Sequence, residues 1–189
     1  MIIKIITLLL IVSRTIYWFV AEIHTHRVRP QLQPTTWWQV VKRLVTSLVG
    51  LIVCLQLLGW SIWPFVNSSL IQVFGLTLVI VSTVVSVWAR RIIGHNWSHA
   101  AEYQIKKNHQ LVETGIYQYI RHPIYTGIVL SIIGAELVAG SYLVIVFLVI
   151  LPIVAYNQAR KEEEILTKKF GQNYQRYMRN TKMFIPFVW

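Results

Sequence analysis

Two stretches far apart in the chain carry residue types suited to chemistry. The first, residues 115–127, reads Gly-Ile-Tyr-Gln-Tyr-Ile-Arg-His-Pro-Ile-Tyr-Thr-Gly and sets Tyr117, His122 and Tyr125 directly ahead of an apolar run. Pro123 suits the first turn of a helix, where a missing N–H costs nothing; His122 then stands at the helix mouth, where free N–H groups and the dipole attract anions. The second is the acidic run Glu162-Glu163-Glu164, which follows the last apolar run. Glu162 lies about 9 Å along the helix from Tyr156, at the level where His122 should begin the neighbouring helix. Glu163 and Glu164 read as a solvated helix face. One segment thus offers N–H donors and an imidazole, the other a carboxylate, and together they suit a ligand of mixed charge.

Two further polar groups compete for attention. His95 and His99 stand four apart with Glu102 three further on, a spacing that could hold zinc on a helix. Gly94, Asn96 and Ser98 favour a turn instead, with Trp97 as an interfacial anchor, so no metal site is assigned. Glu136 lies inside an apolar run, where an acid is a functional candidate by default. It precedes Gly140 by four residues, a rise of about 6 Å, and is therefore expected near the outer interface, exposed or protonated.

The totals say what must position these residues. The chain has 189 residues, 55% of them hydrophobic, and its mean hydropathy of +0.53 is too apolar for an ordinary soluble domain. Its net charge of +11 would suggest nucleic acid in a soluble module, but the basic residues collect between apolar runs, as the positive-inside bias requires. Nucleic-acid binding is therefore not expected. All seven carboxylates are glutamates, which removes paired-aspartate metal sites and aspartyl phosphorylation. The single cysteine, Cys54, sits within an apolar run, so neither an internal disulfide nor a zinc–thiolate cluster can form, and a structural role is expected.

Five apolar runs, at 1–20, 44–63, 70–89, 124–139 and 142–156, predict five transmembrane helices. The first is read as a span and not as a signal peptide, because no small-residue cleavage site is evident. Arg14 either snorkels or faces the bundle interior. The last two runs are short, so both helices are expected to continue past their apolar parts, with a kink at Pro152. The loop at 21–43, the segment at 90–123 and the tail beyond 157 are basic, which places the N-terminus outside and the C-terminus in the cytoplasm. The chemistry then belongs on the cytoplasmic side. Gly-x-Gly, Gly-x-Ser-x-Gly and phosphate-loop patterns do not occur, which argues against a dinucleotide fold, a Rossmann methyltransferase loop and a serine hydrolase. A carboxylate for the helix mouth, a cation or hydroxyl for Glu162 and a ring for Tyr117 and Tyr125 are all present in S-adenosylmethionine, although composition alone does not single it out from other nucleotides.

Taken together, His109-Gln110-Leu111-Val112, Gly115-Ile-Tyr117, Arg121-His122-Pro123-Ile124-Tyr125 with Gly127, Glu162-Glu-Glu-Ile, Phe170-Gly171 and Tyr174 resemble the signature of the isoprenylcysteine carboxyl methyltransferases and related phospholipid methyltransferases. The resemblance spans about residues 94–186, in order and in spacing. It implies an all-α integral membrane protein in which residues 1–93 provide three spans with their loops and residues 94–189 form the catalytic region, within one membrane domain. It implies S-adenosylmethionine as cofactor, held in a cytosolic pocket at the last two helices by His109, Gln110, Leu111, Val112, Tyr117, His122, Pro123, Ile124, Tyr125 and Glu162, with Gln104 as a further contact. It also implies a lipid or prenylated acceptor entering sideways from a bilayer whose lipids are the protein's other partners.

One position departs from the family. An Arg commonly stands four residues before the first Glu of the acidic run, where it would pair with the substrate carboxylate; this chain has Gln158, and its nearest Arg is Arg160. Residues two apart point to different helix faces, so Arg160 is no simple replacement. Glu162, Arg160 and Gln158 are the candidate catalytic positions. The expected activity is S-adenosylmethionine-dependent methylation of a lipidic acceptor, with isoprenylcysteine carboxylate foremost and a phospholipid amine or a thiol also open. Two alternatives are a membrane NAD(P)H-dependent sterol-type reductase and a non-catalytic scaffold or transporter. The oligomeric state is not legible.

Overall fold

The computed structural model describes residues 1–26, 37–65, 68–96 and 110–187. These form six α-helices: α1 (Ile2–His26), α2 (Trp37–Leu57), α3 (Ser69–Ile93), α4 (Pro123–Ala139), α5 (Leu143–Phe170) and α6 (Gln172–Asn180). Among the described residues, strand-like pairing is limited to two isolated bridges, Pro64 with Ser141 and Ile120 with Lys182. By length and composition, α1, α2, α3 and α5 can each cross a membrane, while α4, with 17 residues, is a shorter apolar helix. Four of the five expected apolar runs are helical nearly throughout, whereas the run at 44–63 leaves the helix after Leu57, so α2 starts and ends earlier than expected. The protein is an all-α integral membrane protein.

Side-chain placement follows the logic of a bundle in lipid. Ile5, Leu9, Ile16 and Phe19 on α1 and Ile145, Leu148 and Val149 on α5 are exposed, whereas Thr7, Gln56, Ser82, Ser86, Ser131 and Glu136 are buried. In water such a pattern would leave the hydrophobic faces unsatisfied. Lipid tails would cover the apolar stripes, and several of the buried polar side chains find partners inside: the hydroxyls of Thr7 and Ser82 donate to the carbonyls of Ile3 and Val79 at 2.8 Å each.

The closest helix pair is α3 with α4, and small residues make it possible. A Cβ on Gly75 would stand 2.6 Å from the Gly134 carbonyl oxygen, and one on Gly134 would stand equally close to that of Gly75. A Cβ on Gly127 would collide with the Ser86 hydroxyl. Without a hydrophobic drive between helices, this backbone-to-backbone approach supplies the packing that fixes α4. Val53, Leu57, Val79, Ala135 and Val138 complete the core around it.

The two ends of α4 are held differently. At its C-terminal end Gly140 takes a left-handed conformation (φ 78°) and donates its N–H to the Glu136 carbonyl at 2.9 Å, which stops the helix and starts the tight turn into α5. The loop after α2 braces this turn, with Phe65 N donating to the Gly140 carbonyl and the Ser141 hydroxyl to that of Ile62. Because α4 stops at Gly140, it does not extend past its apolar residues as expected. α5 does, running unbroken through Pro152 to Phe170.

Of the two readings of Glu136, exposed or protonated, the structure overturns exposure. The residue is fully buried, and both carboxylate oxygens receive Gln56 Nε2, at 2.8 and 3.1 Å. Axial distance from Gly140 gives its height on the helix but cannot say which way it points. α4 turns this face toward α2, where the acid meets Gln56, while its exposed side carries apolar residues such as Ile128.

Candidate functional site

The approach to α4 is seated on the end of α3. Gly115, at φ 60°, opens a short 3-10 turn (Gly115–Gln118) in which Tyr117 N donates to the Thr114 carbonyl at 3.2 Å. Ile116, Tyr117 and Ile120 pack with Ala89, and Val112, Ile92 and Ile124 surround them. Apolar residues on both sides of the turn therefore anchor a polar segment at a fixed place on the bundle. Gln110, exposed at the start of this segment, donates its backbone N–H to Asn96 Oδ1 at 3.1 Å, which ties it to the Gly94–Asn96 turn after α3.

The C-terminal segment then clasps residues 119–122 from the other side. Arg121 N donates to the Lys182 carbonyl at 2.9 Å, His122 N to that of Met183 at 3.0 Å, and Lys182 N to that of Tyr119 at 3.1 Å. The Thr126 hydroxyl donates to the Phe184 carbonyl at 3.1 Å, and the Phe184 ring lies 6.0 Å from that of His122. Tyr177 on α6 donates its hydroxyl to the Tyr117 carbonyl at 2.7 Å. These short ladders hold His122 as the capping residue of α4 with Pro123 in its first turn. The N-terminal end of the helix dipole and the first-turn N–H of Ile124 make this mouth an anion-receptive end.

α5 brings its acidic run to this mouth. Tyr125 Oη donates to Glu162 Oε2 at 2.9 Å, and His122 Nδ1 lies 3.7 Å from the same oxygen. The rings of His122 and Tyr125 stack at 5.4 Å with an interplanar angle of 15°. The Glu162 side chain remains 38% exposed, so it is held by one oxygen and still faces the opening.

Glu163 behaves unlike the solvated residue that was expected. Its side chain is only 5% exposed; Oε1 receives Arg121 Nε at 2.6 Å and lies 3.2 Å from His122 Nε2. Arg121 Nη1 donates to the carbonyls of Met178 and Thr181 as well. Adjacent residues on a helix are about 100° apart, so Glu163 turns inward where Glu162 faces the opening and Glu164 faces out. The buried cation decides which of three identical residues is inside, and no spacing rule could identify that choice.

Burial also sets the tyrosines. It pushes the Tyr117 hydroxyl far above its ordinary value, with the Glu162 carboxylate adding to the effect. The hydroxyls of Tyr174 and Tyr177 are raised chiefly by burial too. All three remain neutral donors through the physiological range.

Of the positions expected in the site, Tyr117, His122, Pro123, Ile124, Tyr125 and Glu162 converge around the mouth, and Leu111 and Val112 lie half-buried beside it. Gln158 is half-buried one turn before Glu162 on the same side of α5, whereas Arg160, two residues from each, is exposed. Gln104 and His109, with His99 and Glu102 of the possible zinc spacing, lie outside the described residues. Sequence alone gave Arg121 no role beyond its place in the motif, took Glu163 for a solvated residue, and offered nothing for Tyr177 or the clasp at 181–184. Arg121 had a signal, a cation beside His122, but its partner is reached only through the fold.

With the geometry established, comparison with known proteins is informative. A family profile described as phospholipid methyltransferase matches residues 70–173, more than half of the chain, beginning in α3. A protein-S-isoprenylcysteine O-methyltransferase of Saccharomyces cerevisiae is 31% identical over 122 residues, covering 64% of this chain and 51% of that protein. Protein-S-isoprenylcysteine O-methyltransferase B of Arabidopsis thaliana is 29% identical over 116 residues, 61% of this chain and 59% of that one. The chain thus spans about half the length of the curated relatives it matches. The solved structure of a eukaryotic intramembrane Ras methyltransferase, an isoprenylcysteine carboxyl methyltransferase, superposes on 91% of this chain and 53% of its own with a TM-score of 0.57 at 20% identity, which establishes a shared fold. The ordered motifs around the mouth of α4 and the profile match across α3, α4 and α5 place this chain in the phospholipid methyltransferase family.

Proposed function

We propose that the protein transfers a methyl group from S-adenosylmethionine to a lipidic acceptor, with an isoprenylcysteine carboxylate as the foremost acceptor. The observation that carries this reading is the convergence of the α4 mouth with a partly exposed Glu162 held by Tyr125. That donor set fits the cofactor. N–H groups and His122 face the place for a carboxylate, Glu162 that for a hydroxyl or cation, and Tyr117 and Tyr125 offer apolar ring surface. The relatives that carry the isoprenylcysteine name support the acceptor class.

When bound, S-adenosylmethionine supplies a methyl group on a sulfonium, ready for in-line displacement. The protein's work is then to hold, align and exclude water. The α4 mouth fixes one end of the ligand, and the Tyr125–Glu162 hydrogen bond keeps the carboxylate from rotating away from the other. Gln158, one turn before Glu162, lies on the side from which an acceptor in the bilayer approaches. A carboxylate or thiolate acceptor needs no base. An amine must lose a proton, which Glu162 or His122 can accept.

The basic segments flanking the spans support a mouth on the cytoplasmic side with the N-terminus outside; in this reading the cofactor enters from the cytosol and the acceptor, a prenylated protein or a smaller lipid, enters from the bilayer. Incubation of purified protein with methyl-labelled S-adenosylmethionine and lipid extract should yield a labelled lipid, and identification of the product decides between carboxylate, amine and thiol. Absence of cofactor binding by calorimetry would sink the proposal.

A further inference from the structure

We infer that Glu163 is a positioning residue of this site, acting through His122, while its neighbour Glu162 is the carboxylate that meets the ligand. The inference rests on the cofactor reading above and adds a division of labour within the acidic run. Three observations carry it.

The first is that one oxygen serves two residues. Glu163 Oε1 lies 2.6 Å from Arg121 Nε and 3.2 Å from His122 Nε2, and all three side chains are largely withdrawn from solvent. With Nε2 engaged, rotation of the imidazole breaks a buried contact, and the ring is left with Nδ1 directed toward Glu162 Oε2 at 3.7 Å. The second is that the same ring stacks on Tyr125, whose hydroxyl holds Glu162. Glu163, His122, Tyr125 and Glu162 therefore form a closed loop of contacts across α4 and α5. The third is that the backbone of Arg121 and His122 is pinned separately by Lys182 and Met183. The main chain at 121 and 122 thus has anchors besides Glu163, and what Glu163 adds at His122 is the orientation of the ring.

A positioning residue differs from a merely structural one in how its loss combines with that of the residue it acts through. If Glu163 works by orienting His122, removing it after His122 is gone costs no further affinity, because coupled residues in one network are non-additive. The test is a double-mutant cycle on the full chain in detergent, with S-adenosylhomocysteine binding measured by calorimetry below the melting temperature of every variant. Glu163→Gln should weaken binding by about tenfold or more. His122→Ala should weaken it at least as much, and the double variant should bind no worse than His122→Ala alone. Glu163→Asp keeps the charge while drawing it back by one methylene, so it gives the same cycle if Glu163→Gln does not fold.

Parental affinity in the Glu163 variants, or losses that multiply in the double variant, would overturn the inference while leaving the cofactor reading in place. If the parent itself binds no S-adenosylhomocysteine, the cofactor reading fails and this inference with it.

Discussion

At the mouth of α4, Glu163 is enclosed by Arg121 and His122; at the other end of the same helix, Glu136 is enclosed by Gln56, an amide without charge. The mouth spends a cation, an imidazole and a clasp of backbone bonds on its acid, beside a second acid, Glu162, that stays partly exposed. The far end uses its acid to join α2 to α4 beneath a tight turn. Burial alone therefore says little about a carboxylate's role. What it is bonded to, and whether a neighbouring acid remains exposed beside it, separates a site from a tie.

The contrast can be broken or sharpened by substitution, and the largest effect belongs to the mouth. Glu163→Ala leaves Arg121 as an uncompensated buried charge and should cost about 3–5 kcal/mol, read as a fall in the melting temperature of detergent-solubilised protein. A Glu136→Ala variant that fell as far would erase the distinction between the two ends. Next is the α3–α4 crossing that holds both ends in register. Gly134→Val forces side-chain atoms against the Gly75 carbonyl and should cost about 1–3 kcal/mol, with loss of cofactor binding if the mouth shifts.

A smaller loss is expected from Tyr177→Phe, which removes the hydroxyl from the Tyr117 carbonyl and should cost about 1–2 kcal/mol by the same melt. The tyrosines around the mouth also give it a pH signature. The folded state holds the phenolic protons of Tyr117, Tyr174 and Tyr177 more tightly than the unfolded chain does. Their contribution is complete below the unfolded value of about 10 and is lost as pH rises through it toward the folded values. Melting temperature should thus be insensitive to these groups up to about pH 9 and fall above about pH 10, and less steeply in Tyr177→Phe. The smallest effect should come from Glu136→Gln. It keeps the shape of the buried pair and replaces the carboxyl group by an amide, so a shift within about 1 kcal/mol of zero is expected, and a large loss would show that Glu136 needs its carboxyl group.

Much of this was legible beforehand because it depends on local chemistry. Pro123 after His122 marks a helix start, apolar length marks the spans, and the pairing of the mouth with Glu162 follows from counting residues along two helices joined by a tight turn. Reading Glu163 as solvated and Glu136 as exposed failed for one reason: a helical pattern gives axial position, whereas burial depends on what stands opposite. Nothing near 158–164 in sequence announces Arg121, and nothing near 136 announces Gln56. The clasp is less legible still, because residues 181–184 bind through backbone carbonyls that every residue type possesses.

By itself, then, the sequence determined the membrane setting, the helical composition, the mouth of α4 and the family resemblance, since these rest on residue type and short spacing. Only the tertiary structure decided which glutamate stays partly exposed at the mouth, which is enclosed by Arg121 and His122, and which ties α2 to α4. The physical reason is that a carboxylate buried in a bundle must find a donor, and the donors here lie 42, 41 and 80 residues away along the chain.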